Sequence, residues 1–307
     1  MKLINPSVHL VDESDPFKKI ERVGRTCYKS EDMITEDSAR KFYKGLVKRN
    51  HTAMLEHVTF VFQVDSSTFL HLLGNRYLHY THNLEENRYL VSGNMRAINE
   101  SGKRILFKAL HDIDPELVYV TSDIPCVDCE IACESIKAVN IYNLPNLTKE
   151  EFMAHAYFSF RFICDRGVTH EIVRHRPASY AQESTRYCNY TKDKFGGEIT
   201  FIKPANWGSF PDHVKLRYTV AWEACEDEYA RLISYGQTPQ QARAVLPNAL
   251  KTEIVMTTNA KEYEHFFDLR SRGTTGSPHP DMKVVADMAL ALYESDKFYI
   301  LGDETFK

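Results

Sequence analysis

The sequence predicts an α/β fold of the α+β type, in which helices cover a mixed β-sheet. Runs of β-branched and aromatic residues favour buried strands, and such runs occur at 58–64, 157–164, 198–202 and 250–258. Segments with apolar residues at helical spacing lie between and after them, at about 35–50, 165–173, 211–235, 259–270 and 281–295. Because a chain of 307 residues can bury a large core, we expect one domain to hold all of these elements.

Local signals indicate where several helices begin and end. Asp165 is placed to cap the helix that follows the second strand. Thr238-Pro239 starts a short helix that Pro247 ends. Asn259 opens the helix after the fourth strand. These signals are local, so they predict helix boundaries without saying how the strands pair.

Two parts of the chain are expected to be less regular. The residues before Thr35 are interpreted as an irregular lead into the first helix, and residues from about 76 to 150 as the least regular part. Within the second part, residues 91–94 indicate a strand that turns into a short helix, and residues 136–142 favour another strand.

The composition excludes several classes of protein. The net charge is -4, so the chain has no global basic field of the kind that holds duplex nucleic acid, and an anion site has to be local. No apolar run reaches the length of a signal peptide or a transmembrane helix, so we expect no membrane partner. Seven cysteines, an odd number at low density, indicate reduced thiols and a cytoplasmic location.

Three of the cysteines, Cys126, Cys129 and Cys133, have a spacing that could ligate zinc or an iron–sulfur cluster. No nearby Cys or His supplies a fourth ligand, although His111 and His155 are present at a distance. Small reduced cysteines that pack as hydrophobic residues are the alternative. We therefore expect no metal site, and a metal-dependent enzyme built on these thiols stays open as an alternative.

The most distinctive stretch is Arg174-His175-Arg176, followed after seven residues by Ser184 and then by Arg186. Guanidinium groups are rigid forks of donors that match phosphate and carboxylate, so this cluster indicates an anion site. Arginines at a helix end also complement the helix dipole, and a solvated basic surface is the alternative. The sequence has no glycine-rich phosphate loop and no metalloprotease or hydrolase motif, so arginines and hydroxyls would have to hold any phosphate.

A weak internal echo accompanies this stretch. The strands at 58–64 and 156–162 correspond at an offset of 98. The same offset aligns Arg76 with Arg174, Glu85 with Glu183, and Arg88-Tyr89 with Arg186-Tyr187. A degenerate duplication and chance agreement explain these few identities equally well.

The arginine stretch resembles the signature of the flavin-dependent thymidylate synthases. Three further segments resemble the same family, in the same order along the chain. They are Glu56-His57 at the start of a strand, Ala242-Arg243 with Leu246-Pro247, and Asn259-Ala260-Lys261 with His265-Phe266 and Leu269-Arg270. The resemblance covers roughly 26–64 and 156–295, and it leaves about 65–155 as an apparent insertion within a single domain of residues 1–307.

The resemblance implies a specific reaction. Enzymes of this family methylate dUMP to dTMP, with methylenetetrahydrofolate as carbon donor and NADPH as reductant acting through bound FAD. They use no cysteine nucleophile, and they are homotetramers in which each active site is shared between subunits. The alternative is a nucleotide-binding or RNA-binding regulator that kept the arginines and lost catalysis.

The resemblance also implies roles for individual residues. Arg270 takes the catalytic role, since an arginine stabilises negative charge on the N3/O4 side of uracil. The positions that match dUMP-binding residues are Glu171, Arg174, Gln182, Glu183, Ser184, Thr185, Arg186 and Arg243. The positions that match FAD-binding residues are Thr59, Arg174, His175, Arg176, Gln182, Asn259, Lys261 and His265. His57 matches a position near flavin and folate, and a core or capping histidine is the alternative.

Three positions depart from the family pattern. Ala181-Gln182 stands where Asn-Glu is common, so position 182 keeps its hydrogen bonds and loses a charge. Lys261 stands where arginine is common and lacks the bidentate fork. Glu171 stands where a neutral amide can occur, and it would repel a nucleotide unless another residue pairs with it.

Overall fold

The computed structural model of the chain describes residues 1–119, 135–192 and 197–301. The strands are β1 (Lys2–Ile4), β2 (Ser7–Leu10), β3 (Thr59–Val64), β4 (His79–Asn83), β5 (Arg88–Asn94), β6 (Ile136–Ala138), β7 (Tyr157–Asp165), β8 (Ser179–Gln182), β9 (Thr200–Ile202) and β10 (Lys251–Asn259). The α-helices are α1 (Pro16–Tyr28), α2 (Ser38–Lys48), α3 (Ser66–Leu72), α4 (Met95–Asn99), α5 (Arg104–Ile113), α6 (Lys149–His155), α7 (Arg166–Ile172), α8 (Asp212–Ser234), α9 (Pro239–Ala242), α10 (Ala260–Phe267) and α11 (Pro280–Leu301).

The described strands form three sheets. Sheet I has the order β4-β5-β3-β6 and sheet II the order β2-β7-β10-β8, and every pairing within them is antiparallel. A parallel pair, β1 with β9, forms the third. The predicted α/β class is confirmed. The strands are divided among separate sheets because β3 pairs with β5 and β6, whereas β7 pairs with β2 and β10.

The core of sheet II lies between the sheet and two helices that follow β10. Phe158, Phe160 and Phe162 alternate along β7 and are all buried. The ring of Phe158 lies 5.0 Å from that of Tyr293 on α11, and the ring of Phe160 lies 5.1 Å from that of Tyr263 on α10. Because alternate residues of a strand point to one face, this run of phenylalanines covers one side of the sheet with aromatic contacts.

Sheet I has a separate core formed with helices of the first half of the chain. Phe62 and Val64 of β3 and Val91 of β5 are buried together with Leu46 of α2 and Leu106 of α5. The period-two burial along β3 matches the strand predicted at 58–64. The first half of the chain therefore folds around its own apolar cluster.

Most of the predicted elements are confirmed. The helices expected at 35–50, 211–235 and 281–295 are α2, α8 and α11, and the strands expected at 157–164 and 250–258 are β7 and β10. Two strands are shorter than predicted: β9 replaces 198–202, and β6 replaces 136–142 with a 3-10 turn after it. None of the described helices is long and apolar enough to cross a membrane.

The two expectations of irregular structure are wrong. The residues before Thr35 contain β1, β2 and the 13-residue helix α1, whose first turn is capped by the Asp15 side chain. Pro16 follows that cap at a position that favours helix initiation, so this start was readable from the sequence. The described residues between 76 and 150 contain β4, β5 and β6, which pair within sheet I, together with the helices α4 and α5 and the start of α6.

Candidate active site

The arginine signature lies on the signature turn, residues 173–178, between α7 and β8 of sheet II. The Asp165 side chain accepts a hydrogen bond from Val168 N at 2.8 Å, which caps α7 as predicted. On β8, the Tyr180 hydroxyl donates to His175 O at 2.5 Å. The turn is therefore fixed to the sheet from both ends, and its side chains have a defined position.

Arg270 reaches the signature turn from another element. After α10 the chain forms a π-helical turn, Asp268–Arg272, which carries the Arg270 guanidinium. Arg270 Nε donates to His175 Nε2 at 3.0 Å, and Arg270 Nη1 donates to Glu171 Oε2 at 2.6 Å. These two contacts orient the guanidinium plane. They also pair Glu171, so its negative charge is balanced within the site.

His175 is the buried member of this cluster. It is 6% exposed, and its ring lies 4.9 Å from that of Phe266 and 6.1 Å from that of His265. Burial, with the charges of Arg270 and His265 in addition, lowers the pKa of His175 to about 4. Since Nε2 accepts from Arg270, the neutral ring with its proton on Nδ1 fits the contact. His175 therefore orients Arg270 without adding a charge at neutral pH.

Gln182 connects β8 to two neighbouring elements. Its Nε2 donates to Thr169 Oγ1 on α7 at 3.0 Å and to Thr252 Oγ1 on β10 at 3.3 Å. A glutamate would accept from the same two hydroxyls. The departure from the family pattern at this position therefore preserves the link between α7 and the sheet.

A network of charged side chains lies next to Gln182. Lys251 Nζ donates to Glu183 Oε2 at 2.9 Å and to Glu253, which also pairs with Lys29. Tyr190 donates its hydroxyl to Glu183 Oε1 at 3.1 Å. Burial alone would raise the pKa of Glu253, but Lys251 and Lys29 outweigh burial and hold the pKa at about 2. The Glu183 carboxylate thus faces protein groups, and its role in substrate binding stays a prediction.

The cations expected to bind the dUMP phosphate are held in different ways. Arg243 Nη1 donates to Thr185 Oγ1 at 3.0 Å. Arg174 and Arg186 are exposed, and the ion pairs found in the described part of the chain involve neither of them. Ser184 Oγ accepts a hydrogen bond from Arg186 N at 3.3 Å. The two exposed guanidinium groups are therefore available to an anionic ligand.

His57 is fully buried and reaches across to sheet II. Its Nδ1 lies 2.7 Å from Thr257 Oγ1, and that hydroxyl lies 2.7 Å from Ser159 Oγ. Burial, with the Lys19 charge in addition, lowers the pKa of His57 to about 3. This placement agrees with the core-histidine alternative. Thr59 Oγ1 is also buried, and it has no hydrogen-bond partner among the described residues.

The residues expected on α10 divide into one structural and two exposed groups. Asn259 caps the helix, because its Oδ1 accepts from Glu262 N at 3.0 Å and its Nδ2 donates to Ala154 O at 3.2 Å. Lys261 and His265 are exposed and lie four residues apart on one face of α10. The structure therefore offers these two side chains, rather than Asn259, for contact with a ligand.

A cavity of about 420 Å³ lies beside the signature turn. Arg176 and Tyr180 line one side of it, and Arg76, Tyr77 and His79 line the other. Arginine forks suit phosphates and tyrosine rings suit flat heteroaromatic groups, so these residues fit the phosphates and rings of a flavin dinucleotide. Four of the lining residues, Arg76, Tyr77, His79 and Asn94, come from the segment expected to be an insertion.

No metal site is found in residues 1–119, 135–192 and 197–301, where no group of three or more His, Cys, Asp or Glu side chains is placed to hold an ion. The three-cysteine segment 126–133 lies outside the described residues. His155, which was considered as a distant ligand, has Thr81 Oγ1 at 2.9 Å from Nε2 and Ser92 Oγ at 2.7 Å from Nδ1. Both of its nitrogens already have hydroxyl partners.

Sequence reasoning missed several polar residues of the site. Lys251 and Glu253 stand two residues apart on β10, and this spacing could have indicated a charged pair on one strand face. Thr257 and His79 carried no signal in the sequence. Arg76 appeared in the internal echo, but nothing local placed it beside the signature turn.

Three comparisons with known proteins follow from sequence and structure. The sequence model of the family described as "Thymidylate synthase complementing protein" matches residues 9–98 and 135–295. A flavin-dependent thymidylate synthase of Geobacter sulfurreducens is 38% identical over 128 residues, which are 41% of this chain and 52% of that protein. The corresponding protein of Pyrococcus furiosus is 37% identical over 128 residues, which are 39% of this chain and 49% of that protein.

The chain therefore spans about half the length of the curated relatives it matches. A solved UMP/dUMP methylase from Streptomyces cacaoi, bound with 5-Br dUMP, is similar over 96% of this chain and 93% of its own, with a TM-score of 0.42 and 16% identity. The family model covers well over half of the residues, including the signature turn and α10. The chain belongs to the family of the flavin-dependent thymidylate synthases.

Proposed function

We propose that the protein methylates dUMP to dTMP in an FAD-dependent reaction, with methylenetetrahydrofolate as carbon donor and NADPH as reductant. The curated relatives it matches are named for flavin-dependent thymidylate synthesis. The contact of Arg270 with His175 and Glu171 is the observation that carries the proposal. It joins signature segments that lie 95 residues or more apart in the sequence.

The Arg270 guanidinium is suited to stabilise negative charge on a uracil ring. Its Nε and Nη1 groups are engaged by His175 and Glu171, and Nη2 makes no hydrogen bond within the described residues. An arginine stays protonated at any working pH, so it stabilises the charge that develops at N3 and O4 when C5 acts as a nucleophile. Because His175 is neutral, it orients this cation without repelling it.

The state of three of the four described free thiols supports a reaction without a cysteine nucleophile. Burial raises the pKa of Cys27 and of Cys188 to about 12, and it raises the pKa of Cys164 well above the usual value. The thiolate is the reactive form of cysteine, and thiols with such pKa values hold almost none of it at neutral pH. These three side chains are therefore unsuited to attack the uracil ring.

The remaining signature residues divide between nucleotide and cofactor. Arg174, Arg186 and Arg243 would hold the dUMP phosphate, since the first two are exposed cations and the third is oriented by Thr185. FAD would supply the redox chemistry, and Arg176, Lys261, His265 and Thr59 are side chains that would hold it by charge and hydrogen bonds. Gln182 would orient β8 between the two ligands.

A homotetramer with active sites shared between subunits and a cytoplasmic location belong to the same proposal. Both rest on the family resemblance and the cysteine content. The exposure of Arg174 and Arg186 supports sharing, because these guanidinium groups have no carboxylate partner among the described residues of one chain. A second subunit or the substrate would supply the missing contact.

The experiment compares Arg270→Ala with Arg272→Ala. Arg272 stands on the same π-helical turn, but it pairs at the surface with Glu264 and Asp268. Loss of an electrostatic stabiliser lowers kcat by about 100- to 1,000-fold, so we expect that loss for Arg270→Ala and near wild-type rates for Arg272→Ala. Formation of dTMP and dUMP-dependent NADPH oxidation are measured together.

Full activity of Arg270→Ala would show that its assigned role is wrong. Binding of dUMP or RNA without turnover in the wild type would instead support the alternative function, a nucleotide-binding or RNA-binding regulator without catalysis.

A further inference from the structure

Sheets I and II repeat one arrangement of strands. In sheet I, β5 lies between β4 and β3, and in sheet II, β10 lies between β8 and β7, with β6 and β2 as the corresponding outer strands. The registers also correspond. His79 lies opposite Ser92 in sheet I, and Ser179 lies opposite Thr257 in sheet II. A shared order with a shared register indicates that the two sheets are copies of one unit.

Equivalent hydrogen bonds hold the ends of the two copies. An asparagine ends the central strand and caps the next helix in both cases, Asn94 for α4 and Asn259 for α10. The following residue donates its amide, at 2.8 Å, to the carbonyl before the first strand: Met95 to Val58 and Ala260 to Ala156. The strand order is therefore accompanied by the same connections between the elements.

The turns after the first helix are fixed by equivalent tyrosines. In each copy the hydroxyl on the next strand donates to two carbonyl oxygens of the turn: Tyr80 to Leu72 O and Asn75 O, and Tyr180 to Ile172 O and His175 O. All three pairs of residues stand 100 positions apart. This match extends the equivalence to the segment that carries the arginine signature.

The structure changes the offset that the sequence echo indicated. Asp65 caps α3 as Asp165 caps α7, again 100 positions apart, whereas the first strands begin 98 positions apart. The difference of two arises because Asp165 lies eight residues after the start of β7, whereas Asp65 lies six residues after the start of β3. Arg76 therefore corresponds to Arg176, and not to Arg174.

The two copies also exchange the same contact. His57 of the first copy lies 2.7 Å from Thr257 of the second, and His155 of the second lies 2.7 Å from Ser92 of the first. Ser92 and Thr257 are equivalent by register, and the two histidines are equivalent by the offset of 98. Reciprocal contacts of this kind arise from two-fold symmetry. The chain thus contains repeat 1 (56–99) and repeat 2 (154–267), related by a pseudo-two-fold axis.

Equivalent segments of the repeats line the two sides of the 420 Å³ cavity. Repeat 1 contributes Arg76 and His79, and repeat 2 contributes Arg176 and Ser179. Each of these pairs is related by the offset of 100. The cavity therefore lies at the contact between the repeats, with one arginine from each.

The arginines of this cavity have no acidic partner among the described residues. Arg76 Nη2 donates to Tyr77 OH at 3.0 Å, and its guanidinium lies 5.1 Å from the centre of that ring. The ion pairs found in the described part of the chain include neither Arg76 nor Arg176. Glu56, the acid among the lining residues, pairs with Arg96 at 2.8 Å. The cavity consequently has an excess of positive charge.

A histidine and two aromatic faces border the same space. Burial, with the Lys261 charge in addition, lowers the pKa of His79, which lines this wall. Tyr157 and Tyr180 line the cavity on the side of repeat 2. A ligand that fits these groups carries more than one negative charge and a flat ring.

We propose that Arg76 and Arg176 together bind the diphosphate of a nucleoside diphosphate group at the contact between the repeats. Two guanidinium forks match two phosphate groups, and the volume lies in the range of sites for ligands of nucleotide size. The identification of this group as part of FAD rests on the proposed function. The anion site itself rests on the cavity and its charges. Repeat 1 then acts as a wall of the cofactor site that repeat 2 cannot complete alone.

The test measures binding, with Arg76→Ala and Arg176→Ala against Arg217→Ala. Arg217 is an exposed arginine on α8, outside the cavity. ADP and FAD are the probes, and equilibrium dialysis of the full chain gives the dissociation constants. We expect each cavity variant to raise the dissociation constants of both ADP and FAD by about tenfold or more, because a charge-assisted contact is lost. Arg217→Ala should bind ADP and FAD as the wild type does. The dissociation constants of Arg76→Lys should lie between those of the wild type and those of Arg76→Ala.

The outcomes separate this site from the proposed function. Unchanged binding of ADP and FAD by Arg76→Ala overturns the site, even if the enzyme forms dTMP. Arginine-dependent ADP binding by a protein that forms no dTMP supports the site and contradicts the proposed function. Arg76 is exposed, so its replacement should leave the thermal midpoint unchanged. If Arg76→Ala lowers the thermal midpoint, Arg76→Gln provides a second variant for the same binding measurement.

Discussion

Repeat 1 and repeat 2 share a backbone arrangement but differ in the turn after their first helix. The turn of repeat 2 carries Arg174-His175-Arg176, and the corresponding residues of repeat 1 are Gly74-Asn75-Arg76. Gly74 has a φ of 93°, a conformation that favours glycine. The tyrosine hydrogen bonds to the turn are the same in both repeats. The backbone frame therefore does not depend on the reactive side chains.

A second difference lies after the capped helix. In repeat 2, α10 continues into the π-helical turn that brings Arg270 to His175, whereas in repeat 1 the helix α4 ends at Asn99 after five residues. Asn75, which stands at the position of His175, therefore has no arginine beside it that corresponds to Arg270. Under the proposals made above, a duplicated frame keeps the catalytic cluster in one copy and uses the other copy as a wall of the ligand cavity.

The largest effect is expected from a position where the repeats carry opposite charges. Arg88 on β5 corresponds to Glu253 on β10, and it forms a buried pair with Glu151 at 2.6 Å. Removal of one member of a buried ion pair costs about 3–5 kcal/mol, because the other charge is left uncompensated. We expect Arg88→Met to lower the free energy of unfolding by that amount in urea titrations.

The double variant Arg88→Met/Glu151→Leu is the control. It should recover much of the loss, since no unpaired charge remains. If Arg88→Met alone were as stable as the wild type, the pair would not be buried as described.

The next effect tests whether the catalytic cluster belongs to repeat 2 alone. His175→Asn gives repeat 2 the residue that repeat 1 has at the equivalent position, and it removes the contact with Arg270 Nε. Misplacement of a catalytic group by about 1 Å can cost about 100-fold, so we expect kcat to fall by about that factor with a smaller change in dUMP affinity. Steady-state kinetics and dUMP titration give the two values.

The matched variant is Asn75→His in repeat 1. It should leave kcat unchanged, because repeat 1 has no Arg270 counterpart to orient. A loss of kcat in Asn75→His equal to that in His175→Asn would show that the repeats contribute alike.

A further, pH-dependent effect concerns the exchanged histidines. Burial lowers the pKa of His57 and of His155 from 6.5 to about 3, so both histidines are neutral in the folded protein at neutral pH. Their contribution to stability is full above pH 6.5 and is lost as the pH falls from 6.5 toward 3. Linkage gives a slope of about 1.4 kcal/mol per pH unit for each histidine. Urea titrations at pH 7, 6 and 5 measure this slope.

The variant His57→Gln/His155→Gln should be less stable at pH 7 and show a shallower dependence on pH in the same titrations. An unchanged slope would mean that other groups cause the loss of stability in acid.

The local parts of the fold could be predicted from the sequence. The strands β3, β7 and β10 appear as β-branched and aromatic runs, and Asp165 and Asn259 appear as caps, because these signals lie within a few residues. The helix α1 was missed although Asp15 and Pro16 mark its start. The signature residues could be identified because their types and spacing are read directly along the chain.

The tertiary contacts of the site could not be predicted in this way. His57 and Thr257 are 200 positions apart, and Arg270 and His175 are 95 apart, so no local pattern connects them. The internal echo gave the wrong partner for Arg76 because β7 is longer than β3, and this shift appears only in the strand registers. The role proposed for Arg76 therefore rests on the pairing of the repeats.

Formation of dTMP from dUMP tests the central claim most directly. The protein is incubated with dUMP, NADPH and methylenetetrahydrofolate labelled in its methylene carbon, with and without FAD. We predict that the label appears in dTMP when FAD is present, and that it is lost in Arg270→Ala. Complete reaction mixtures of folded, FAD-loaded wild-type protein that yield no labelled dTMP would contradict the assignment.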